Sequence, residues 1–333
     1  MTPSEIIARA EMDISPPLPT PLTWLKHIAF LLVTFATMTT AGSMFPFGPY
    51  DNLPATDPGS FTEVVEFYGA MVAGAVTNLF SNPADLAYGL KFSLSLLFIL
   101  ISHEMGHYIA CRLYKVDATL PFFIPTPPMI GPAGTFGAFI KIRAPMPSNR
   151  AVFDIGVAGP LAGFVALIPI AIIGVASMQV APPTSVPGEG MIVFTDPLMM
   201  QLIAVFFGIE LTFAVGNAYY FAAWVGLLVT ALNLIPSGQL DGGHAVFAVF
   251  GDRVHRWTGR IAFVVMATLS VVGLYFFNSP SGFLIAIILF VMMRIKHPQP
   301  IDQTPLDSKR KLIALATLIV FVLSFSPFPI RIN

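Results

Sequence analysis

His103-Glu104-Met105-Gly106-His107 sets two imidazoles four residues apart with a carboxylate beside the first. On a helix, positions i and i+4 share one face, so both rings can reach a single metal ion. Glu104 can approach a water on that ion without being a ligand itself. Two histidines on zinc, with an adjacent glutamate as general base and then proton donor, is an arrangement of zinc hydrolases. With six histidines and seven glutamates in 333 residues, chance would produce this pattern only about 0.002 times. The bland alternative is a polar helix end solvated among lipid headgroups. Ionisable groups clustered within an apolar span are costly and usually functional, which weighs against it.

A catalytic zinc takes a third protein ligand and keeps one position open. The run Asn233-Leu234-Ile235-Pro236-Ser237-Gly238-Gln239-Leu240-Asp241-Gly242-Gly243-His244 contains the best-placed candidate, Asp241. Pro236 breaks a helical hydrogen-bond ladder, and Gly238, Gly242 and Gly243 permit irregular backbone. At membrane depth such backbone is tolerated only where it lines an enclosed or watery cavity. His244 competes as a ligand, but its place just past the glycines suits an outer position better. Taken alone, Asp241 could equally be a polar residue in a helix C-terminal turn.

The elements that must hold these residues are membrane spans. The chain is 55% hydrophobic and 11% charged, too apolar for a water-soluble fold of this length. Apolar runs at 26–45, 89–111, 152–178, 218–237, 260–277, 282–296 and 312–327 predict an all-α polytopic protein of about seven helices. The run at 198–213, interrupted by Glu210, reads as a half-buried segment at the membrane surface. With a cytoplasmic N-terminus, 15 of the 17 basic residues fall on one side, leaving Lys91 and Arg331 opposite. That bias supports both the orientation and the count. It puts His103–His107 and Asp241 at the same face. Residues 1–23 carry acidic residues and prolines, with no cleavage site after the first apolar run, so the first span reads as a retained anchor.

This gives a tail at 1–25, an anchor at 26–45, an external segment at 46–88, a catalytic core at 89–296, a cytoplasmic loop at 297–311 and a last helix with its tail at 312–333. Within the 112–151 loop, the proline-rich stretch 121–132 resists helix formation. The segment from Gly134 to Arg143 reads as a strand or hairpin arm associated with the membrane, with Gly134 and Gly137 at bends or close approaches. Its Phe136, Phe139 and Ile140 are candidate substrate contacts, since an exposed edge can pair with an extended peptide. A helical substrate has every backbone group paired, so it must unwind before it can be cut. Asp154 reads as a charge favoured by a helix N-terminus. Cys111, the single cysteine, excludes an internal disulfide, and a net charge of −1 argues against a nucleic-acid partner.

The two motifs together resemble the site-2 protease family, intramembrane metalloproteases that combine a His-Glu-x-x-His span with a later Asn-x-x-Pro…Leu-Asp-Gly span. The resemblance covers most of residues 89–296. The runs starting at Trp224 and at Gly131 are especially similar to the subgroup without a PDZ domain, common in bacteria and represented in chloroplasts, and that resemblance implies a bacterial inner membrane. It implies one zinc per chain on His103, His107 and Asp241, with Glu104 as acid/base. Asn233 then matches the position that holds the substrate backbone or the developing oxyanion, and Pro236 and Gly242 shape the break. Gly159 and Gly163 match a small-residue motif near the family's site, although G-x-x-x-G helix packing accounts for them equally. The implied partners are membrane lipid and the transmembrane segment of a tethered protein, with no soluble cofactor. No PDZ domain interrupts the 177–198 loop, which removes one means of gating. A transporter would need polar groups spread across the bilayer, whereas here they cluster at one depth. A non-catalytic metal binder would not need Glu104, and no serine or aspartyl intramembrane motif is present.

Overall fold

The computed structural model describes residues 17–51, 59–129, 132–180, 192–295 and 297–332. The first sixteen residues of the expected tail and residues 181–191, half of the 177–198 loop, lie outside that set. The fold is mostly helical. Its helices are α1 (Pro21–Ser43), α2 (Phe61–Ser81), α3 (Pro83–Leu113), α4 (Asn149–Ala176), α5 (Leu198–Phe207), α6 (Ala218–Asn233), α7 (Asp241–Phe277), α8 (Gly282–Met292) and α9 (Ser308–Ser324). Local chemistry sets several starts. Asn82 caps α3, accepting from the Ala84 amide at 3.1 Å ahead of Pro83 at the first position. Ser148 caps α4 through the Ala151 amide at 3.2 Å, and Asn217 caps α6 through Tyr219 and Tyr220. Each side chain satisfies an amide that the first helical turn leaves unpaired.

Helices α3, α4 and α6 form the central layer, around fully buried Phe92, Leu96, Leu167, Trp224 and Leu227. Helix α1 covers α3 antiparallel, with Gly42 against Phe92 and Gly89 against the Thr39 backbone. Helices α7 and α8 pack as a pair beside it. Outward faces carry large apolar side chains such as Leu94, Phe98, Val264 and Leu284, as expected where lipid is the solvent.

Among the described residues, five helices are long and apolar enough to cross a membrane: α1, α2, α3, α4 and α7. The expected seven-span pattern is not reproduced as drawn. Helix α2 falls inside the presumed external segment 46–88; Glu63 and Glu66 interrupt its apolar run but sit near its start, leaving the rest uncharged. The expected span 218–237 ends at Asn233, and α6 and α8 have 16 and 11 residues. At 1.5 Å per residue these reach roughly 24 and 16 Å, short of a hydrocarbon core of about 30 Å. The expected span at 260–277 belongs to the longer α7, which turns a corner at Gly251 (φ 80°). A short arm, 241–250, packs on α4, and a long arm, 252–277, runs beside α8. The 198–213 run holds α5, with Met200, Ile203 and Ala204 buried and Phe206 exposed, in keeping with a half-buried segment.

Small pairings gather the connections at two ends of the helical layer. At one end, the Ile301 and Asp302 amides donate to the Met146 and Pro147 carbonyls, and the Asn149 amide donates to Asp302. At the other, β3 (Gln179–Val180) pairs with β5 (Ala214–Val215), and β4 (Ile192–Phe194) pairs with β6 (Ile330–Ile332). The last described residues therefore lie at the end opposite segment 297–307.

The expected hairpin is present. Strand β1 (Phe122–Pro125) pairs antiparallel with β2 (Thr135–Phe139), Phe122 opposite Phe139. It lies along α1, with Phe122 against His27 and Phe30 and the Thr37 hydroxyl donating to the Gly134 carbonyl at 2.8 Å. Gly134 has φ +78° and stands on the Thr37 backbone, so both conformation and space require glycine there. Beyond β2 the chain stays extended: the Thr119 amide donates to Lys141, and the Arg143 amide to Asp117. The amides of Ile140 and Ile142 therefore point the other way.

Candidate metal centre and active site

Helix α3 carries His103 and His107 on one buried face, pressed against α4. The closeness comes from glycine. A Cβ at Gly159 would overlap the His107 ring, one at Gly163 would lie 3.1 Å from His103 Cβ, and one at Gly106 would overlap the Ala158 carbonyl. Gly159 and Gly163 are thus the seats on which both imidazoles rest, which makes close helix packing and service to the site a single role. The His107 Nδ1–H donates to the Ile155 carbonyl at 2.7 Å, which leaves Nε2 with its lone pair free.

Asp241 arrives from the break after α6. Helix α6 ends at Asn233, Pro236 lies in the irregular turn, and Gly238 (φ +55°) packs on the Met292 carbonyl. Gly242 sits hard against the Leu234 carbonyl, where any side chain would collide. Asp241 is not in a C-terminal turn; it is the first residue of α7, at the end where a helix favours negative charge.

The donor atoms of His103, His107 and Asp241 lie within 4.8 Å of one another. The two Nε2 atoms are 3.1 Å apart, and each is 3.3 Å from Asp241 Oδ2. Donors about 2.0–2.1 Å from a tetrahedral ion are separated by about 3.3 Å, so the set fits zinc. Without a cation, three electron-rich atoms would be converging on one point. Glu104 Oε1 stays 4.0 Å from His103 Nε2, near the set but outside it, and the Ile140 amide donates to the Glu104 carboxylate. Asn233 Nδ2 lies 3.3 Å from His103 Nε2. His244 lies outside this donor set, and its Nδ1 faces His297 Nε2 at 2.7 Å.

These groups line a cavity of about 700 Å³ with Ala138–Met146, Gln239 and Pro298. Phe139 and Ile140 are among its walls, whereas Phe136, 62% exposed, is not. Residues 91–276, more than half of the chain, match Peptidase family M50. The chain belongs to peptidase family M50. That bears out the resemblance to the site-2 proteases and the reading of a metallopeptidase-type site in a membrane protein. Among similar M50 relatives, "Probable zinc metalloprotease EGY1, chloroplastic" of Arabidopsis thaliana is 27% identical over 324 residues, covering 95% of this chain and 55% of the relative. "Probable zinc metalloprotease EGY2, chloroplastic" of Oryza sativa subsp. indica is 26% identical over 295 residues, covering 80% and 51%. This M50 chain thus spans about half the length of these relatives.

Some contributors to this M50 site carry no sequence signal. The Ile155 carbonyl and the Ile140 amide are backbone groups that only the fold selects. His297, just past the sixth apolar run, was legible as a histidine but not as a neighbour of His244. Asp154 does more than complement a helix dipole: it takes a two-pronged ion pair from Arg310, at 2.9 Å and 2.6 Å, that ties α9 to α4.

Proposed function

We propose that the chain is an intramembrane zinc endopeptidase that hydrolyses a peptide bond in or near the transmembrane segment of a membrane-tethered protein. The observation that carries this is the tetrahedral spacing of the His103, His107 and Asp241 donors, with a carboxylate held just outside it. Held by His103, His107 and Asp241, zinc would supply Lewis acidity to a water and to the scissile carbonyl. Glu104 takes a proton from that water as its oxygen attacks the carbonyl carbon. It returns the proton to the nitrogen as the C–N bond breaks. The Ile140 amide orients the Glu104 carboxylate for both transfers. Asn233, at the end of α6, is positioned to hydrogen-bond the carbonyl oxygen as negative charge develops.

The extended wall at Ala138–Met146 supports a strand-like substrate. Ile140 and Ile142 turn their amides toward the cavity side; with the Ile140 amide on Glu104, the Ile142 amide is the one an unwound peptide can pair with in the manner of an added strand. The reading includes a regulator as substrate, its release on the cytoplasmic side, a bacterial inner membrane and a cytoplasmic N-terminus. The basic residues in the segments that follow the two motif helices, from Arg112 and Lys115 through Arg256 to Lys311, support the orientation.

Metal analysis paired with cleavage tests the proposal. Purified protein should hold about one zinc per chain, and His103→Ala or His107→Ala should lose it. Glu104→Gln should keep the zinc and cleave no model transmembrane substrate. Folded wild-type protein free of metal, or undiminished turnover by Glu104→Gln, would overturn it.

A further inference from the structure

His244 is one of the polar side chains of the cavity that the hydrolytic scheme leaves unused. Its state follows from a chain of hydrogen bonds that can run in only one direction. His297 Nδ1 lies 2.8 Å from the Pro298 carbonyl oxygen. A carbonyl only accepts, so His297 carries a proton on Nδ1. Burial lowers the His297 imidazole to about 3, so at neutral pH its Nε2 has no proton and must accept. His244 Nδ1, 2.7 Å away, is therefore the donor. The remaining ring atom, His244 Nε2, is left with a lone pair on a residue that lines the cavity with Asp241 and Glu104. Among the described residues, nothing bonds to it. The ring is also held in place. His244 Cβ lies against Gly156, where an added Cβ would come within 2.8 Å, and His297 stacks on Phe247 at 3.9 Å and 9°.

A fixed, unprotonated acceptor selects a hydrogen-bond donor. An extended peptide in this cavity presents backbone N–H groups to alternate sides. Those on one edge meet the Ala138–Met146 wall; the alternate ones need an acceptor from another element, and α7 supplies one at His244. We infer that His244 Nε2 accepts a hydrogen bond from a backbone N–H of the bound peptide next to the scissile bond, and that His297 positions it by fixing its tautomer. This rests on the peptidase reading above and extends it to how the substrate is gripped.

Binding to the Glu104→Gln protein in detergent separates grip from turnover. The probe is a fluorescent synthetic peptide of a cleaved transmembrane segment. His244→Met, similar in length but without the acceptor, should weaken binding roughly 3- to 10-fold, the range of one hydrogen bond. His244→Gln, whose Oε1 reaches about as far as Nε2, should restore most of it, and zinc content should be unchanged in both. His297→Phe keeps the stacking on Phe247 and loses the acceptor, so its effect should not add to that of His244→Met. In a peptide series with single esters replacing backbone amides, one ester should bind more weakly to the parent protein yet no more weakly still to His244→Met. Equal binding by Met and Gln variants, or esters that all add fully to His244→Met, would overturn the assignment. If wild-type protein holds zinc and cleaves while either of these results is found, only this inference falls. If wild-type protein does neither, the peptidase reading falls and takes this with it.

Discussion

Gly159→Ala is a one-methyl change whose consequence can be worked out from distances. The added Cβ would overlap Nε2, Cδ2 and Cε1 of His107 at once. Ordinary contacts lie at about 3.5–4.0 Å, so the ring would have to retreat by more than about 1 Å. Ligand distances in a metal site hold to about 0.2 Å, and the Ile155 bond at 2.7 Å leaves the ring nowhere to go without losing its tautomer. Helix propensity pushes in the opposite direction, since alanine is favoured over glycine by about 1 kcal/mol. The damage should therefore appear in the metal rather than in the fold. Gly163→Ala supplies the calibration, because its Cβ would meet His103 Cβ at 3.1 Å and Nδ1 at 3.4 Å, which a shift of a few tenths of an ångström relieves. Zinc content, thermal melting in detergent and cleavage are measured on both. Gly159→Ala should keep its melting transition, retain less than about a tenth of the zinc and lose cleavage. Gly163→Ala should keep its zinc and lose at most several-fold in rate. Full zinc and wild-type cleavage in Gly159→Ala, or the reverse order of the two variants, would refute the seat argument.

Asn233→Ala should lower the cleavage rate by about 10²- to 10³-fold, as loss of an oxyanion donor does, with zinc content unchanged; a rate within a factor of two of wild type excludes the role. Ile142→Pro removes an amide on the free side of the extended wall and should reduce cleavage at least about tenfold without loss of zinc. Phe139→Pro is a poorer test, because Phe139 pairs with Phe122 inside the hairpin. Reporter fusions after residues 150 and 300 should both report cytoplasm and a fusion after Asn333 the opposite side, because 297–307 and β6 lie at opposite ends of the helical layer.

What could be read from the sequence was chemistry at fixed spacing. His103, Glu104 and His107 form a pattern because a helix returns to the same face every four residues. Pro236 and the glycines around Asp241 announced irregular backbone, and the chain does leave the helix after Asn233. Lengths were harder to read. Hydropathy reports how apolar a run is, but not whether it is one helix, and α2, α6 and α8 depart from expectation for that reason. The corner at Gly251 was invisible, since α7 continues in helical conformation on both sides of it. The ring-to-glycine contacts gave the least warning. Gly159 and Gly163 look alike in sequence, yet the structure gives them different clearances from the two histidines.

The corner at Gly251 also separates two mechanical duties within one helix. The long arm of α7 faces lipid through Ile261, Val264 and Val265, and an arm so exposed tilts when hydrocarbon thickness changes. The short arm carries Asp241 and is anchored on α4 through His244 and Phe247. Gly251 has φ +80° and open space around it, yet the long arm also meets the turn before Asp241, where His255 Nε2 donates to the Gly238 carbonyl and Gly259 lies against Ser237. A change of tilt in the long arm therefore bears on the Gly238 turn as well as on the Gly251 joint, and both lead to the carboxylate.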